Sequence, residues 1–158
     1  MEKLQLIPIK IDNIDFYLSF EKSYKENLYI YQSRIYPKDY KKYQQLFDES
    51  RLSWFYIVFE EKYIGSVWLE KLSKEDTSAT LGIFIAYNNF RGLGIGQKVI
   101  EKIINYNCAA MSLLQIELNV RANNLRAIRC YINSGFIESE KNIKNGIGVN
   151  HMIYTFSK

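Results

Sequence analysis

The sequence predicts a mixed α/β domain of the α+β type, with helices flanking a central sheet, and three patterns indicate this fold class. First, β-rich runs at residues 54–60, 63–71 and 77–86 follow one another with short polar connections, as antiparallel strands do. Second, an amphipathic helical stretch lies between that third strand and a strand at residues 113–120, an order that requires a parallel pair with a right-handed crossover. Third, two further strands close the chain at residues 137–140 and 149–156, around the turn Asn145-Gly146.

The chain begins with a predicted strand and a predicted helix. Residues 4–10 alternate between apolar and polar side chains and indicate a strand that ends near Pro8 and Lys10. Asp12 or Asn13 can cap the element that follows, and the apolar residues between positions 13 and 23 predict a helix there.

A second helix is predicted ahead of the antiparallel strands. Pro37 suits the first helical position, because that residue needs no N–H donor. The helix ends before Leu52, and its apolar stripe consists of Tyr40, Tyr43, Leu46 and Phe47. The strands at 54–60 and 63–71 then form a hairpin that turns at Glu61 and Lys62.

Residues 81–107 join a buried strand, a glycine loop and an amphipathic helix without interruption. The glycines between Arg91 and Gln97 can take backbone angles closed to other residues, so consecutive N–H groups can converge on one point. The helix is predicted to start at Gln97, and the unpaired N–H groups of its first turn and the positive end of its dipole face the loop. This arrangement is typical of a phosphate site. A glycine-rich connection without a ligand explains the loop alone equally well.

Two common nucleotide-binding motifs do not match the loop. A P-loop would end in Gly-Lys-Ser or Gly-Lys-Thr, and neither is present. A dinucleotide fingerprint would need a third glycine where Gln97 or Val99 stands, although Glu117 lies at about the expected 20 residues beyond the loop.

The second informative stretch covers residues 113–136. Its strand is half polar, with Ile116, Leu118 and Val120 on one face. Asn124 is then a plausible N-cap of a helix that Gly135 stops at the C′ position. Asn124 and Tyr131 are seven residues apart, so they share one helix face and lie about 10 Å apart along the axis.

Both motifs resemble signatures of one family. The loop reads Arg91-x-x-Gly94-x-Gly96, and the later stretch has Asn124, Ala127, Tyr131 and Gly135-Phe136 in register. This combination resembles the GCN5-related N-acetyltransferase (GNAT) family over the second half of the chain. The resemblance implies a twisted mixed sheet of about six or seven strands with about four flanking helices. It also implies that acetyl-CoA lies in the splay between the two parallel central strands.

The resemblance further assigns residues to the cosubstrate. Phe84 and Ile85 would offer backbone groups to the pantetheine arm, Asn124 would hydrogen-bond the same arm, and Tyr131 would stand near the sulfur. The pyrophosphate would be held by the loop residues Arg91, Gly92, Leu93, Gly94, Ile95, Gly96 and Gln97.

Tyr131 is accordingly the expected general acid, because a neutral phenol can donate a proton or hydrogen bond to a departing thiolate. The identity of the general base is left open by the sequence. Some family members carry a glutamate at the position of Asn119, which cannot accept a proton from an amine. Glu117 and Glu70 are the candidates for a base that acts through water, and a solvated glutamate at a sheet edge is the alternative interpretation of each.

Composition narrows the partners. The 158 residues fit one domain, residues 1–158, and the net charge of +4 is dispersed without the basic run that nucleic-acid binding would favour. The start lacks a signal peptide, and no stretch approaches the ~20 apolar residues of a membrane span, so we expect a cytoplasmic protein. Cys108 and Cys130 suggest core thiols of a reducing compartment, and a single histidine, His151, argues against a multi-histidine metal site.

The predicted function is therefore an acyl-CoA-dependent N-acyltransferase that moves an acetyl group from acetyl-CoA to a primary amine in a ternary complex, without a metal. The alternative is a CoA-binding sensor or interaction module that lacks turnover. It is favoured by Asn119, which stands where some family members carry a glutamate. The amine can belong to a small molecule or a peptide, and a homodimer is compatible with the sequence. Five tyrosines could line an acceptor pocket or pack the core: Tyr24, Tyr29, Tyr31, Tyr36 and Tyr40.

Overall fold

A computed structural model describes residues 3–20, 40–107 and 110–156. Seven strands form one sheet in the order β1-β2-β3-β4-β5-β7-β6. Their bounds are β1 Leu4–Pro8, β2 Leu52–Phe59, β3 Lys62–Glu70, β4 Ser78–Ile85, β5 Gln115–Arg121, β6 Ile137–Lys144 and β7 Ile147–Thr155. Three α-helices occur within the described residues: α1 Tyr40–Asp48, α2 Ile95–Asn107 and α3 Leu125–Asn133. The mixed, helix-flanked sheet that the sequence predicts is confirmed.

The described residues contain three α-helices against about four expected, and within them the first predicted helix is a 3-10 helix. It spans Ile14–Phe20, and its buried side chains are Ile14, Tyr17 and Phe20. These residues are three apart, and a helix with three residues per turn aligns such a set directly on one face. Asn13 does not cap it from its side chain: Oδ1 accepts from Lys10 N at 2.7 Å and Nδ2 donates to Pro8 O at 2.9 Å. Residues 21–23 of the prediction lie outside the described residues.

The second predicted helix is α1, which buries Tyr43 and Leu46. Pro37, its predicted first residue, lies outside the described residues, as do Tyr24, Tyr29, Tyr31 and Tyr36. The fifth tyrosine of that set, Tyr40, is 42% exposed at the start of α1, and its hydroxyl donates to Asp15 Oδ1.

The hairpin between β2 and β3 turns one residue earlier than predicted. Glu60 and Glu61 both have positive φ, at 48° and 68°, which is the backbone of a type I′ turn. The closing hairpin between β6 and β7 turns at the predicted Asn145-Gly146, where φ is 52° and 79°. Both of its strands extend beyond the predicted ranges toward the turn, because cross-strand pairing holds them there without burial.

Two apolar clusters cover the sheet. The cluster under α2 and α3, which we call the helix-side core, contains Val99, Ile100 and Ile103 of α2 together with Ile116, Leu118 and Val120 of β5. The cluster on the opposite face, which we call the aromatic core, is built mainly from the 3-10 helix, α1, β2 and β3. Its largest side chains are Tyr17, Phe20, Tyr43, Trp54, Tyr56, Trp68 and Phe84.

Candidate active site

The sheet opens between β4 and β5. These strands are parallel, as predicted, but the paired residues run only from Ser78 and Gln115 to Thr80 and Glu117. Beyond that point β4 continues to Ile85 and stays paired with β3, while β5 continues to Arg121 and stays paired with β7. The gap between them holds a cavity of about 550 Å³, a size typical of small-molecule sites.

The cavity passes through the sheet from one face to the other. Side chains alternate along β5, so Asn119 and Arg121 lie on the face opposite the helix-side core, which takes Leu118 and Val120. Trp68, Glu70 and Gly82 line the cavity on that same face, since Trp68 belongs to the aromatic core. On the other face, the lining comes from the glycine loop and α3.

The glycine loop bends into the start of α2, which begins at Ile95, two residues before the predicted Gln97. Gly92 and Gly94 have φ of 76° and 78°, a left-handed backbone that residues with a Cβ rarely adopt. The first helical hydrogen bond runs from Lys98 N to Gly94 O at 3.3 Å. The N–H groups of the residues before Lys98 therefore have no intrahelical acceptor and are placed for an anion.

The helix start is packed against α3. A Cβ on Gly96 would come within 3.3 Å of Cys130 Sγ, and Gln97 Nε2 donates to Asn133 O at 3.4 Å. Gly92, Gly94, Gly96 and Gln97 all line the cavity, whereas Leu93 is 61% exposed and Ile95 is buried in the helix-side core. The loop thus presents backbone groups to the cavity and directs two of its side chains elsewhere.

Arg91 uses its guanidinium to shape the loop. Its Nε and Nη2 atoms donate to Ile85 O at 3.1 and 2.8 Å, and Nη1 donates to Asn88 Oδ1. This clamp ties the end of β4 to the loop that follows. Arg91 lines the cavity, but the cations that α3 adds to the rim, Arg126 and Arg129, are both exposed.

The two predicted backbone groups of β4 point in different directions. Ala86 N donates to Ile64 O at 2.7 Å, and bonding alternates along an antiparallel ladder. The N–H and C=O of Phe84 are therefore directed to β3, and those of Ile83 and Ile85 to the gap. The close approach of Phe84 O to Gly65, where a Cβ would lie 2.1 Å away, supports this direction. Phe84 lines the cavity, but Ile83 is better placed to offer backbone groups.

Asn124 and Tyr131 both line the cavity from α3. Asn124 is the N-cap, as predicted, and its Oδ1 accepts from Ala127 N at 3.3 Å, which leaves the amide Nδ2 as its donor. Tyr131 packs edge-on against Phe136, with ring centroids 5.9 Å apart. Burial, with a smaller effect of the Cys130 thiol, raises the pKa of the Tyr131 phenol above its usual value of about 10, so the hydroxyl stays protonated. Gly135, at φ 100°, ends the helix at C′ as predicted.

The two candidate bases lie in different surroundings. Glu70 lines the cavity and pairs across the ladder with Thr80. Glu117 does not line it: its Oε2 lies 3.5 Å from Nε2 of His151, on the strand face next to Asn119. His151 is a late-strand residue of β7, as predicted, and Asn119 lines the cavity without a carboxylate.

Sequence reasoning missed several residues of the cavity wall, among them Trp68, Gly82 and Arg121. The indole ring of Trp68 packs directly over Gly82, where a Cβ would lie 2.1 Å from the ring. Only a glycine at position 82 therefore leaves room for this ring in the cavity wall. Arg121 lines the gap from the end of β5, and its Nε is buried without a hydrogen-bond partner among the described residues. The only available signal was the alternation of β5, which places Arg121 on one face with Asn119.

Other kinds of site find no support in the described part of the chain. Within residues 3–20, 40–107 and 110–156, His, Cys, Asp and Glu side chains do not form a group of three that could bind a metal ion. No helix among these residues is both long and apolar enough to cross a membrane. Cys130 is a free thiol whose pKa is raised by burial, whereas Cys108 lies outside the described residues.

These features fit a phosphate-bearing cosubstrate with a linear arm: a helix start whose first N–H groups have no intrahelical acceptor, a cationic rim, and a gap along the part of β4 that does not pair with β5. The mixed sheet that opens at its parallel pair agrees with the arrangement that the GNAT resemblance implies. The model of the acetyltransferase (GNAT) family matches residues 15–136, and the chain belongs to this family. It is an acetyltransferase, with acetyl-CoA as its cosubstrate.

Solved structures share the fold at low identity. The ribosomal-protein-S5-alanine acetyltransferase from Vibrio fischeri superposes with a TM-score of 0.82 at 15% identity, over 98% of this chain and 94% of that one. The spermidine N-acetyltransferase from Vibrio cholerae, in complex with CoA and spermine, has a TM-score of 0.75 at 19% identity, over 97% and 95%. The ribosomal L7/L12 alpha-N-protein acetyltransferase RimL, in complex with coenzyme A, has a TM-score of 0.80 at 13% identity, over 98% and 95%. No curated protein matches the sequence.

Proposed function

We propose that the chain transfers an acetyl group from acetyl-CoA to a primary amine by direct attack in a ternary complex. The observation that carries this proposal is the gap between β4 and β5, which opens on both faces of the sheet beside Tyr131. The glycine loop approaches from the helix side, and the opposite mouth is bounded by Trp68, Glu70 and Asn119. Donor and amine can therefore enter from different sides and be bound at the same time, an arrangement that allows direct transfer in a ternary complex.

The donor end is proposed to use backbone groups more than side chains. The N–H groups at the start of α2 would hold the pyrophosphate, and Arg126 and Arg129 would add positive charge at the rim. Ile83 of β4 and Nδ2 of Asn124 would hydrogen-bond the arm. Bound there, acetyl-CoA supplies an activated thioester carbonyl. Arg91 would contribute through the loop conformation that its guanidinium fixes.

Tyr131 is proposed as the hydrogen-bond donor to the sulfur as the C–S bond breaks. A thiol has a pKa of about 8.5, and the pKa of this phenol is raised above about 10. Full proton transfer from Tyr131 to a thiolate is therefore uphill, while a hydrogen bond from a neutral phenol costs no ionisation. This is the general-acid role expected from the sequence, with the proton retained on the phenol for most of the step.

Glu70 has better support than Glu117 as the group that accepts the amine's proton through water. Glu70 lines the cavity, whereas the carboxylate of Glu117 is 3.5 Å from His151 and outside the lining. Removing a proton from an alkylammonium group at pH 7 costs about 4 to 5 kcal/mol, so a carboxylate near the amine lowers the barrier. Glu70→Gln should then lower turnover more than Glu117→Gln at the same saturating acetyl-CoA.

Tyr131→Phe tests the mechanism. We expect turnover to fall by about 10²-fold or more, with acetyl-CoA affinity changed less, because the hydroxyl acts on the leaving group. Thiol release over an amine panel measures turnover, and calorimetry measures affinity. Tyr154→Phe is the matched control, since Tyr154 packs on Phe136 and does not line the cavity.

An unchanged rate in Tyr131→Phe would remove the hydroxyl from the mechanism. Acetyl-CoA binding without thiol release for any amine would favour the alternative, a CoA-binding module without turnover. No binding of acetyl-CoA would contradict both. We also propose that the protein acts in the cytoplasm, in keeping with the free thiol of Cys130.

A further inference from the structure

The arginines of the cavity differ in how their donors are used. All three guanidinium nitrogens of Arg91 donate hydrogen bonds, two to Ile85 O and one to Asn88 Oδ1. Arg126 and Arg129 are exposed at the rim, where water can satisfy them. Arg121 is only partly exposed, and its buried Nε has no hydrogen-bond partner among the described residues. Arg121 nevertheless lines the cavity with the exposed part of its side chain, and a guanidinium in a cavity wall can pair with an anionic group of a ligand.

The position of Arg121 assigns it to the acceptor's side of the sheet. It shares a face of β5 with Asn119, opposite the residues that enter the helix-side core. The glycine loop, which leads into α2, and α3 lie on the other face, since Val99 of α2 belongs to that core and Ile128 of α3 packs against it. A group that enters past Arg121 therefore approaches the gap from the side away from the pyrophosphate site.

The same mouth carries a charge of the opposite sign at its other end. Glu70 is level with Thr80, which pairs with Glu117 across the parallel ladder. Arg121 lies four residues further along β5, which corresponds to about 13 Å of strand rise. Glu70 and Arg121 both line the cavity, so the mouth presents a carboxylate at one end and a guanidinium at the other.

We propose that the acceptor is a primary amine that carries a carboxylate in the same molecule, such as an amino acid, and that Arg121 is the residue that selects it. This inference rests on the proposed acetyl transfer to an amine. The planar guanidinium of an arginine pairs with a carboxylate through two parallel hydrogen bonds. A simple polyamine carries only positive charge and offers Arg121 no acceptor.

Matched amines test the selectivity. Ornithine differs from 1,4-diaminobutane only by its carboxylate, and alanine differs from ethylamine in the same way. With the wild-type protein and saturating acetyl-CoA, we expect kcat/KM from thiol release to be about tenfold or more higher for the carboxylate-bearing member of at least one pair, the effect of a charge-assisted hydrogen bond. Equal or higher values for both carboxylate-free amines would overturn the inference and leave the proposed acetyl transfer intact. No thiol release with any amine would overturn both.

Variants then assign the selectivity to Arg121. Arg121→Gln should bring the ratio within a pair close to 1, mainly by slowing the carboxylate-bearing amine, and Arg121→Lys should keep part of the preference because it keeps the charge. Arg126→Gln is the matched control: it removes an arginine from the same cavity on the donor side and should leave the ratio unchanged. Thermal unfolding verifies the fold of each variant. If Arg121→Gln fails to fold, the kcat/KM ratio within each pair, measured for Arg121→Lys and for the wild type, tests the proposal instead. Equal loss for both members of a pair, with weaker acetyl-CoA binding, would place Arg121 on the donor and overturn the proposal.

Discussion

The two halves of the sheet, on either side of the gap, are packed differently. Strands β1 to β4 are covered on one face by the aromatic core and on the other by the helix-side core. In β5 and β7 the helix-side core covers one face, and every residue of β6 is exposed. The first half of the sheet is thus buried on both faces, largely by aromatic rings on one of them, and the second half has polar side chains beside the cavity.

This difference separates stability from recognition. The first half contributes buried rings such as Trp54, whose Nε1 donates to Ser66 Oγ at 2.6 Å inside the sheet. The second half contributes Asn119, Arg121 and the pair Glu117 and His151, which are polar groups on a strand face. Under the proposed function, substitutions among these polar groups would change acceptor preference without disturbing the buried rings.

The largest contrast is expected between two glycines, one in each half. A Cβ on Gly65 of β3 would lie 2.1 Å from Phe84 O, a backbone atom that cannot move aside. A Cβ on Gly148 of β7 would meet Ala122 Cβ at 3.3 Å, a distance that a small shift can relieve. We expect Gly65→Ala to lower the free energy of unfolding by about 3 kcal/mol or more, and Gly148→Ala to change it by less than about 1 kcal/mol. Urea denaturation measures both, and similar values would refute the contrast.

Much of the fold could be predicted from the sequence, because strand and helix periods are local. The strand order through the parallel pair and the N-cap at Asn124 follow from alternation, crossover handedness and capping chemistry. The 3-10 helix was mistaken for an α-helix because its apolar residues are dense enough to satisfy either period. The extension of β6 was missed because an exposed edge strand carries no burial pattern, and its pairing with β7 alone defines it.

The candidate site was harder to predict, because its details are tertiary. The residue types of the glycine loop and α3 carry the family pattern. Nothing in the sequence shows that the Arg91 guanidinium turns back to Ile85 O, or that Glu70 and Arg121 line one cavity. Such contacts depend on where strands that are distant in the chain end and splay.

A smaller effect, with a pH dependence, is expected at Tyr56 of the first half. Its hydroxyl donates to Asn13 O at 2.7 Å, so Tyr56→Phe should cost about 1 kcal/mol at pH 7. Burial, with smaller effects of Tyr63 and Asp15, raises the pKa of Tyr56 above its usual value of about 10. The unfolded chain therefore loses this proton first, and the wild-type protein loses stability as pH rises above about 10.

The variant lacks that titration, so the difference in unfolding free energy between wild type and Tyr56→Phe should shrink between pH 9 and about 11. Tyr106→Phe is the control, because Tyr106 is 67% exposed on α2. Guanidinium denaturation at several pH values measures the difference. If the difference in unfolding free energy stays constant with pH, then Tyr56 has the same pKa in the folded and unfolded states.

The smallest effect is expected on the exposed edge. Ile143 of β6 is 77% exposed, whereas Ile57 of β2 is fully buried in the helix-side core. Removing one methylene should cost about 1 kcal/mol in Ile57→Val and less than about 0.5 kcal/mol in Ile143→Val. If Ile143→Val costs as much as Ile57→Val, and the cost grows with protein concentration, then a second copy of the chain covers β6 in solution. The difference in packing between the two halves would then hold only for the isolated chain, because the exposed strand β6 would be buried in an assembly of two or more chains.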